Sequence, residues 1–384
     1  MKSRLDIAVL TTYPPTECGI ATFSQSLVHA LNLSRNRINI VRLMNAEETA
    51  SPKSVIHDHY YGNNEDLTIE VLNQHDLVIV QHEFGIFGGE DGEEIVSLLE
   101  NIDVPVIAVL HTVVSSPTAN QRKIVDAMTR RAGALVVMTQ AGKAKLIAGY
   151  SVDASKIHVI PHGARPMKQP ITPMKEHSVN HRPRILTWGL LGPGKGIEWA
   201  IDALKELKDL EIFPEYVIAG QTHPHVKQHQ GEAYRDGLKQ KIADHNLEDH
   251  VTFMDHYLSE TDLDELISSA DVIVLPYDSI EQVTSGVLVE ALVAGKPIIA
   301  TNFPHARELL FDKSGILVNQ KDSHGIAQGI RSVLGSKHRT HAMQSRMNRK
   351  STTFLWSSVA SKYLDIADEL ATTQQKSQLQ SLVS

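Results

Sequence analysis

The segment Ile185–Leu204, ILTWGLLGPGKGIEWAIDAL, decides how the rest of the chain is interpreted. Its apolar start is typical of a buried strand, and its end has the apolar spacing of a helix. Between these parts, Gly192, Gly194 and a further glycine surround Lys195. Glycines let the backbone approach a phosphate closely, and one lysine supplies the compensating charge. The segment therefore predicts an anion-binding turn between a strand and a helix, in which the Lys195 side chain has little to pack against.

This turn differs from two common nucleotide-binding motifs. The Gly-Lys-Ser/Thr ending of a Walker loop is absent, and the glycine spacing is not that of a G-x-G-x-x-G dinucleotide fingerprint. Spacing alone also leaves open a flexible turn with a solvated lysine. The choice between an anion-binding turn and a flexible turn with a solvated lysine therefore depends on the rest of the sequence.

Strand-like and helix-like segments alternate along nearly the whole chain. Apolar segments without polar alternation are typical of strands buried on both faces of a parallel sheet. In the first half they are Leu5–Leu10, Ile38–Met44, Asp76–Gln81, Val104–His111, Ala134–Thr139 and Ile157–Ile160. In the second half they are Arg184–Trp188, Tyr216–Ala219, Val251–Met254, Val272–Leu275, Pro297–Ala300 and Ile316–Val318. The pattern predicts an α/β fold with doubly wound parallel sheets.

A proline-rich stretch separates the two series. We predict a Rossmann-like domain over residues 1–165, a linker over 166–183 and a second Rossmann-like domain over 184–350. An amphipathic segment follows at 351–371, and the polar tail 372–384 is expected to be frayed. Ligands bind beyond the carboxyl ends of such strands, so we expect the site in a cleft that the two domains face.

Composition excludes several classes of protein. The chain has 384 residues, of which 42% are hydrophobic and 21% charged, as is ordinary for a globular protein. Its net charge of −8 argues against a dedicated nucleic-acid binder, and its single cysteine, Cys18, allows no intrachain disulfide. There is no apolar stretch of about 18 residues and no signal-peptide core. We therefore expect a soluble, cytoplasmic protein.

A second anion-binding signal lies in ADVIVLPYDSIEQVTSGVLVEALVAGKPIIAT, residues Ala270–Thr301. It predicts a buried strand, a polar loop and a helix that starts near Thr284, Ser285 and Gly286. The free N–H groups and hydroxyls at such a positive helix end suit a phosphate. Glu290 lies about one turn further on and can accept hydrogen bonds from a ribose diol. Its apolar neighbours favour a buried helix over a solvated one.

The first half contains two weaker signals. Gly19 lies where a helix should begin after the first strand, a position that suits an anionic or hydroxyl-rich ligand or is a plain strand-to-helix turn. After another strand, Glu83, Phe87, Gly88 and Gly89 combine a carboxylate, an aromatic ring and close-approach glycines, which suits a carbohydrate acceptor.

Two further patterns favour ordinary explanations. Histidines near Glu83 and at His57 and His59 suggest a metal, but no metalloprotease spacing completes them, so we expect no metal site. Basic residues between Gln121 and Lys145 suit an anionic lipid or acceptor, although a solvated helix face is the favoured interpretation.

The order of these elements resembles the GT-B glycosyltransferases, and among them the retaining, nucleotide-sugar-dependent family 4. The resemblance covers nearly the whole chain and rests on Gly19, the strand-end His111, IPHG at Ile160–Gly163, the G-x5-K-G pattern at Gly189–Gly196, and the Glu290 helix followed by GKPIIAT. It implies sugar transfer with retained anomeric configuration, no obligatory metal and a donor held mainly by the second domain. It also implies that residues 351–371 cross back to the first domain.

The resemblance implies roles for individual residues. Lys195 would neutralise the donor diphosphate, Glu290 would hold the ribose, and His111 would contact the transferred sugar or its leaving phosphate. N–H groups around Ser285–Leu288 would bind the phosphate oxygens, and backbone near Asp255–Tyr257 would contact the base. The whole predicted donor set is Gly19, Gly189, Gly194, His256, Tyr257, Gln282, Thr284, Ser285, Gly286, Val287 and Leu288.

The chain departs from the family pattern at two positions. The usual Glu-x7-Glu motif would place its first glutamate at Gln282, and the nearby Glu281 is one residue early. Leu190 stands where many relatives have an arginine, so Lys195 would act with fewer cations, assisted by Arg122, Arg165 or a helix terminus.

These observations predict a retaining transferase that moves a hexose from a UDP-, GDP- or ADP-sugar to a carbohydrate or glycoconjugate hydroxyl without a cofactor. A nucleotide-sugar epimerase and a glycan phosphorylase are alternatives within the fold. A dehydrogenase lacks support, because no G-x-G-x-x-G follows the first strand. A non-catalytic sugar-nucleotide-binding partner is the alternative from another class.

Overall fold

The computed structural model describes residues 4–45, 50–167, 181–279 and 283–383. The chain divides into two compact domains. The first comprises Met1–Gly163 together with Trp356–Ser384, and the second comprises Ala164–Leu355. Most of the predicted linker, and the predicted contacts at Glu281 and Gln282, lie outside the described residues.

The described elements alternate between strands and helices. The strands are β1 (Asp6–Thr11), β2 (Arg37–Met44), β3 (Val55–Tyr60), β4 (Leu77–His82), β5 (Val106–Leu110), β6 (Ala134–Val137), β7 (Ile157–Val159), β8 (Arg184–Trp188), β9 (Glu215–Ala219), β10 (Val251–Met254), β11 (Val272–Leu275), β12 (Ile298–Thr301) and β13 (Ile316–Val318). The helices are α1 (Gly19–Asn32), α2 (Glu65–Asn73), α3 (Glu94–Asn101), α4 (Ala119–Arg131), α5 (Gln140–Gly149), α6 (Ile197–Lys205), α7 (Pro224–Gln230), α8 (Ala233–Asp244), α9 (Glu260–Ser269), α10 (Gly286–Val293), α11 (Pro304–Leu310), α12 (Ser323–Leu334), α13 (Lys337–Ser351) and α14 (Trp356–Val383).

The sheet of the first domain is parallel, with its described strands in the order β3-β2-β1-β4-β5-β6-β7. Successive side chains of β1 enter opposite cores. Ile7 and Val9 pack with α1 and α14, whereas Ala8 and Leu10 pack with α3 and α4. Because both faces of the central strands are covered, these strands are mostly apolar, and this is why the sequence pattern revealed them.

The sequence pattern missed strand β3. Its residues, VIHDHY, are largely polar, and it lies at the edge of the sheet, where it pairs with β2. His57 and His59 of this strand both form hydrogen bonds with the Thr68 hydroxyl, at 2.8 and 2.9 Å. An edge strand that is buried less completely lacks the continuous apolar run on which the prediction depended.

Helix α14 completes the core of the first domain. Trp356, Val359, Tyr363 and Ile366 are buried in the same cluster as residues of β1 and α1. The helix continues to Val383, whereas the sequence suggested a frayed tail from residue 372. No helix in the described parts of the chain is both long enough and apolar enough to cross a membrane.

Tyr363 of α14 offers a stability prediction. Its side chain is 1% exposed, and its hydroxyl has no hydrogen-bond partner among the described residues. A buried hydroxyl without a partner destabilises the folded state. We expect Tyr363→Phe to raise the free energy of unfolding by about 1 kcal/mol in urea titrations. A loss of stability would instead mean that the hydroxyl is satisfied in solution.

The second domain has a parallel sheet in the order β10-β9-β8-β11-β12-β13 over its described strands. The chain runs outward from β8 to β10 and then restarts on the other side of β8 with β11. At such a reversal, the loops after the two adjacent strands diverge and leave room for a ligand. The topology therefore brings the glycine turn after β8 next to the loop that follows β11.

Candidate functional site

The glycine turn of the second domain lies against the end of β11. Gly189, Gly194 and Gly196 have φ values of +117°, +90° and +62°. A Cβ atom at Gly196 would lie 2.0 Å from the carbonyl oxygen of Pro276, so no other residue fits there without a shift of the backbone. The Asp278 amide donates to the Gly194 carbonyl at 3.1 Å, which ties the turn to the loop after β11.

Lys195 is packed more closely than its glycine neighbours suggest. Its ammonium nitrogen lies 4.7 Å from the centre of the Tyr277 ring, so the expectation that this side chain has little to pack against is wrong. Burial lowers the pKa of Lys195, and no charged side chain among the described residues contributes to that shift. A half-buried cation held on an aromatic face is suited to receive an anion.

Helix α10 places its amino terminus in the same region. Its N-cap is Ser285, whose hydroxyl accepts from the Leu288 amide at 3.2 Å. The Leu288 amide, predicted to bind the donor, is therefore occupied by the cap in this structure. The amides of Gly286 and Val287 precede the first intrahelical hydrogen bond and are half-buried, so they fit the predicted role better. The Ser285 amide donates to Nδ1 of His305 at 2.9 Å.

Glu290 is a half-buried residue on α10. The Trp188 indole donates to its Oε2 atom at 3.1 Å. Burial raises the pKa of Glu290, and the Trp188 hydrogen bond and the charge of Arg165 oppose that shift. Burial also raises the pKa of Tyr277 to about 12, and the nearby charge of Glu290 adds to the effect. Lys195, Tyr277, Ser285 and Glu290 thus form one cluster at the ends of β8 and β11.

Sequence reasoning missed Trp188 and Tyr277. Each is an aromatic residue at or just after the carboxyl end of a strand, which was the available signal. Trp188 is the last residue of β8, and Tyr277 follows β11 by two residues. Trp188 contacts α10, and Tyr277 contacts the glycine turn. In each case the partner lies far away in the sequence.

The cations suggested as helpers of Lys195 have other partners. Arg165 makes ion pairs with Glu260 at 2.8 Å and with Asp264 at 3.4 Å. Arg122 donates to the carbonyl of Gly149 at 2.6 Å and lies over the Tyr150 ring. Of the suggested helpers, a helix terminus is the one near Lys195, because the Tyr277 ring that contacts Lys195 is hydrogen bonded to Ser285, the N-cap of α10.

The remaining predicted donor residues are less enclosed. His256 and Tyr257 lie in the loop after β10, and both are exposed. Thr284 is half-buried just before α10. In the first domain, Gly19 begins α1, whose N-cap is Cys18; the Cys18 sulfur accepts from the Ala21 amide at 3.3 Å.

His111 of the first domain follows strand β5. Its Nε2 atom lies 2.8 Å from Oε1 of Gln81, and its ring packs against the Phe23 edge at 4.7 Å. Burial lowers the pKa of His111 to about 3, and the nearby His162 and His82 act in the same direction. The imidazole is therefore neutral near pH 7, so it can take part in hydrogen bonds but supplies no positive charge.

Glu83 lies just after β4 and is hydrogen bonded within the first domain. It accepts from the Thr112 hydroxyl at 2.6 Å and from the Phe84 amide at 3.0 Å. Burial raises the pKa of Glu83, and these two hydrogen bonds oppose the shift. Phe87, predicted to stack on an acceptor, is only 5% exposed and stacks on His82 at 6.3 Å, so it is not an open platform for a sugar.

The glycines beside Phe87 have structural constraints of their own. The Gly88 amide donates to Oε2 of Glu94 at 3.1 Å, and a Cβ atom at Gly88 would lie 2.8 Å from that same oxygen. Gly89 has a φ of +81°. Close packing therefore accounts for both glycines, and their predicted contact with an acceptor stays a prediction.

The basic face between Gln121 and Lys145 is largely used within the fold. The Arg131 side chain donates to the carbonyls of Ile102 and Val104, and Lys143 donates to the carbonyl of Ile157 at 2.9 Å. These contacts give Arg131 and Lys143 structural roles within the fold, whereas the sequence favoured a solvated helix face. Over the described ranges, no group of three or more histidine, cysteine or acidic side chains is arranged to hold a metal ion.

Three histidines with lowered pKa values, one buried and two half-buried, should make the first domain sensitive to acid. Burial lowers the pKa values of His82 and His111 to about 3 and that of His162 to about 4. Unfolding returns each pKa to about 6.5, so the unfolded chain binds protons that the folded chain excludes. Each histidine should then cost up to about 1.4 kcal/mol of stability per pH unit as the pH falls below 6.5. Glu83, with its raised pKa, offsets part of this loss.

The measurement is the urea midpoint at several pH values between 7 and 5. We expect the midpoint to fall as the pH decreases, and to fall less steeply in His82→Leu, which removes one of the three groups. An equally steep fall in His82→Leu would show that His82 titrates normally in the folded protein.

Sequence comparison matches most of the second domain to a family model. Residues 169–351 match the model of the family described as glycosyl transferases group 1. A search of curated protein sequences finds no significant match.

Solved structures match both domains. A structure of Anabaena Alr3699/HepE in complex with UDP-glucose has a TM-score of 0.74 at 18% identity, covering 96% of this chain and 100% of that one. A glycosyltransferase from Rickettsia africae has a TM-score of 0.75 at 17% identity, with 96% and 99% covered. A UDP-forming α,α-trehalose-phosphate synthase from Burkholderia xenovorans has 0.72 at 12%, with 96% and 100% covered. Residues 169–351 thus match the glycosyl transferases group 1, and the two parallel-sheet domains have the GT-B glycosyltransferase fold.

Proposed function

We propose that this protein is a retaining glycosyltransferase that moves a hexose from a nucleoside diphosphate sugar to a carbohydrate or glycoconjugate hydroxyl. The observation that carries the proposal is the cluster in the second domain. A half-buried lysine without a carboxylate partner among the described residues, a helix amino terminus and a half-buried glutamate occur together there. A nucleoside diphosphate offers the matching groups, a diphosphate and a ribose diol.

The proposed chemistry rests on charge. Negative charge grows on the diphosphate as the bond to the sugar breaks, and we propose that Lys195 and the amides of α10 stabilise it. Because the first-domain His111 is neutral, we assign it hydrogen bonding to the sugar or its leaving phosphate. We propose that the reaction needs no cofactor, since the chain's own groups supply the positive charge.

UDP is the first nucleotide to test. The Anabaena structure contains UDP-glucose and the Burkholderia enzyme is UDP-forming, which supports UDP as the diphosphate here. Thermal-shift titrations with UDP, GDP and ADP should show one nucleotide raising the melting temperature, since a ligand bound by the folded state stabilises it. No shift with any of the three would count against a nucleotide-sugar enzyme.

Donor hydrolysis separates an enzyme from a binding protein. In the absence of acceptor, we expect slow release of the nucleoside diphosphate from the sugar donor whose nucleotide stabilises the protein. Binding without any release would favour the non-catalytic alternative. The anomeric configuration of the transferred sugar, read by NMR, tests retention directly.

Glu83→Gln should separate acceptor use from donor binding. Glu83 is in the first domain, whereas Lys195 and Glu290 are in the second. If Glu83 contacts the acceptor, the amide should reduce transfer by at least about tenfold, because a hydrogen bond to a charged group contributes about 1.5–3 kcal/mol. Nucleotide affinity, measured by calorimetry, should stay within about twofold. A parallel loss of transfer and of nucleotide affinity would mean that Glu83 contributes to donor binding, and the assignment to the acceptor would be wrong.

A further inference from the structure

Among the described residues, an aromatic ring rather than an acidic side chain holds Lys195. Its ammonium nitrogen is 4.7 Å from the centre of the Tyr277 ring, within the range of a cation–π contact. Among the described residues, burial is what lowers the pKa of Lys195, and no carboxylate makes an ion pair with this lysine. Contact with the Tyr277 ring therefore positions the Lys195 ammonium group.

Tyr277 is itself fixed from several sides. Its ring packs against that of Phe303, with centroids 5.0 Å apart, and its hydroxyl shares a hydrogen bond with Ser285, the N-cap of α10. Its carbonyl accepts from the Thr301 hydroxyl at 2.5 Å. The side chain is 2% exposed. Tyr277 thus joins the lysine turn to the helix terminus through one rigid ring.

We propose that Tyr277 is the positioning residue of Lys195, which it aligns with the amino terminus of α10 for a shared diphosphate. This inference rests on the proposed function for the identity of the anion, whereas the placement of the ammonium group does not. A carboxylate in the same place would neutralise the lysine and repel the diphosphate. The ring face attracts the ammonium group through its quadrupole and leaves the net positive charge available to a ligand.

Two substitutions distinguish the effect of the Tyr277 ring from that of its hydroxyl. Tyr277→Phe keeps the aromatic face and removes the hydrogen bond to Ser285, whereas Tyr277→Leu removes the face. The matched control is Tyr150→Leu, since the Tyr150 ring lies 5.2 Å from the Arg122 guanidinium in the first domain. UDP and inorganic pyrophosphate serve as probes, and thermal melting identifies the variants that fold.

The expected results concern affinity and coupling. Tyr277→Leu should weaken UDP and pyrophosphate binding by about tenfold, and Tyr277→Phe and Tyr150→Leu by no more than about threefold. In a Lys195→Ala background, Tyr277→Leu should have no further effect, because the positioned group is absent. An undiminished effect in that background would show a merely structural role and overturn the proposal.

NMR supplies a test that needs no ligand. The Lys195 side-chain resonances, assigned by their loss in Lys195→Ala, should carry an upfield ring-current shift. That shift should persist in Tyr277→Phe and vanish in Tyr277→Leu; its absence from the unaltered protein overturns the positioning role. If the shift is present and none of UDP, GDP, ADP and pyrophosphate binds, the proposed function fails while the placement of Lys195 by Tyr277 is upheld.

Discussion

Lys195→Ala is expected to lower kcat by two to three decades while the protein stays folded. During transfer, negative charge accumulates on the diphosphate, and a fixed ammonium group favours that transition state over the bound substrate. Removing such a charge from a desolvated site costs on the order of 3–4 kcal/mol of activation free energy. Donor affinity should fall less than kcat, because the ground state carries less charge at the breaking bond.

Stability should change little in the same variant. Loss of the contact with Tyr277 destabilises the fold, and loss of a buried charge stabilises it, so these effects oppose each other. We expect the free energy of unfolding to shift by no more than about 1 kcal/mol. Circular dichroism and urea titration check this, and steady-state donor hydrolysis measures kcat.

Two further variants sharpen the comparison. Lys195→Arg should rescue only part of the activity, because a planar guanidinium does not replace a compact ammonium group in a tight glycine turn. Lys205→Ala, which removes an exposed lysine near the end of α6, should leave turnover unchanged. A folded Lys195→Ala protein with near-normal turnover would remove Lys195 from the mechanism.

The fold was predictable wherever strands were buried on both faces. Strand β11 is apolar throughout and strand β8 is mostly apolar, and the predicted bounds of both match the structure. Strand β3 was missed because an edge position tolerates the polar residues His57, Asp58 and His59. The hydrophobic pattern of a sequence reflects which side chains are buried and not which backbone groups are hydrogen bonded. It therefore fails to predict a strand that is only partly covered.

The candidate site was predictable where backbone conformation demands a residue type. Gly196 is required because a side chain would collide with Pro276, and Ser285 is a favoured N-cap residue. The contacts of Trp188 with Glu290 and of Tyr277 with Lys195 could not be predicted. Each joins residues more than 80 positions apart, and which aromatic side chain reaches which partner depends on how the elements pack.

Ending the chain at Leu355 should unfold the first domain. The cut removes α14, whose Trp356, Val359, Tyr363 and Ile366 are all less than 10% exposed and belong to the core that includes β1 and α1. Burying each such side chain contributes about 1.5–3 kcal/mol, so their joint loss exceeds about 5 kcal/mol, comparable to the stability of a whole domain.

The control is a chain that ends at Ala371, the last buried residue described in α14. Thr372–Lys376 are exposed or half-buried, so this shorter deletion should change the free energy of unfolding by less than about 1 kcal/mol. Calorimetry should show a large loss of unfolding enthalpy for the cut at Leu355 and nearly none for the cut at Ala371. Equal melting of both truncated chains would mean that α14 is an appendage, and that the apolar cluster on which it packs is stable without it.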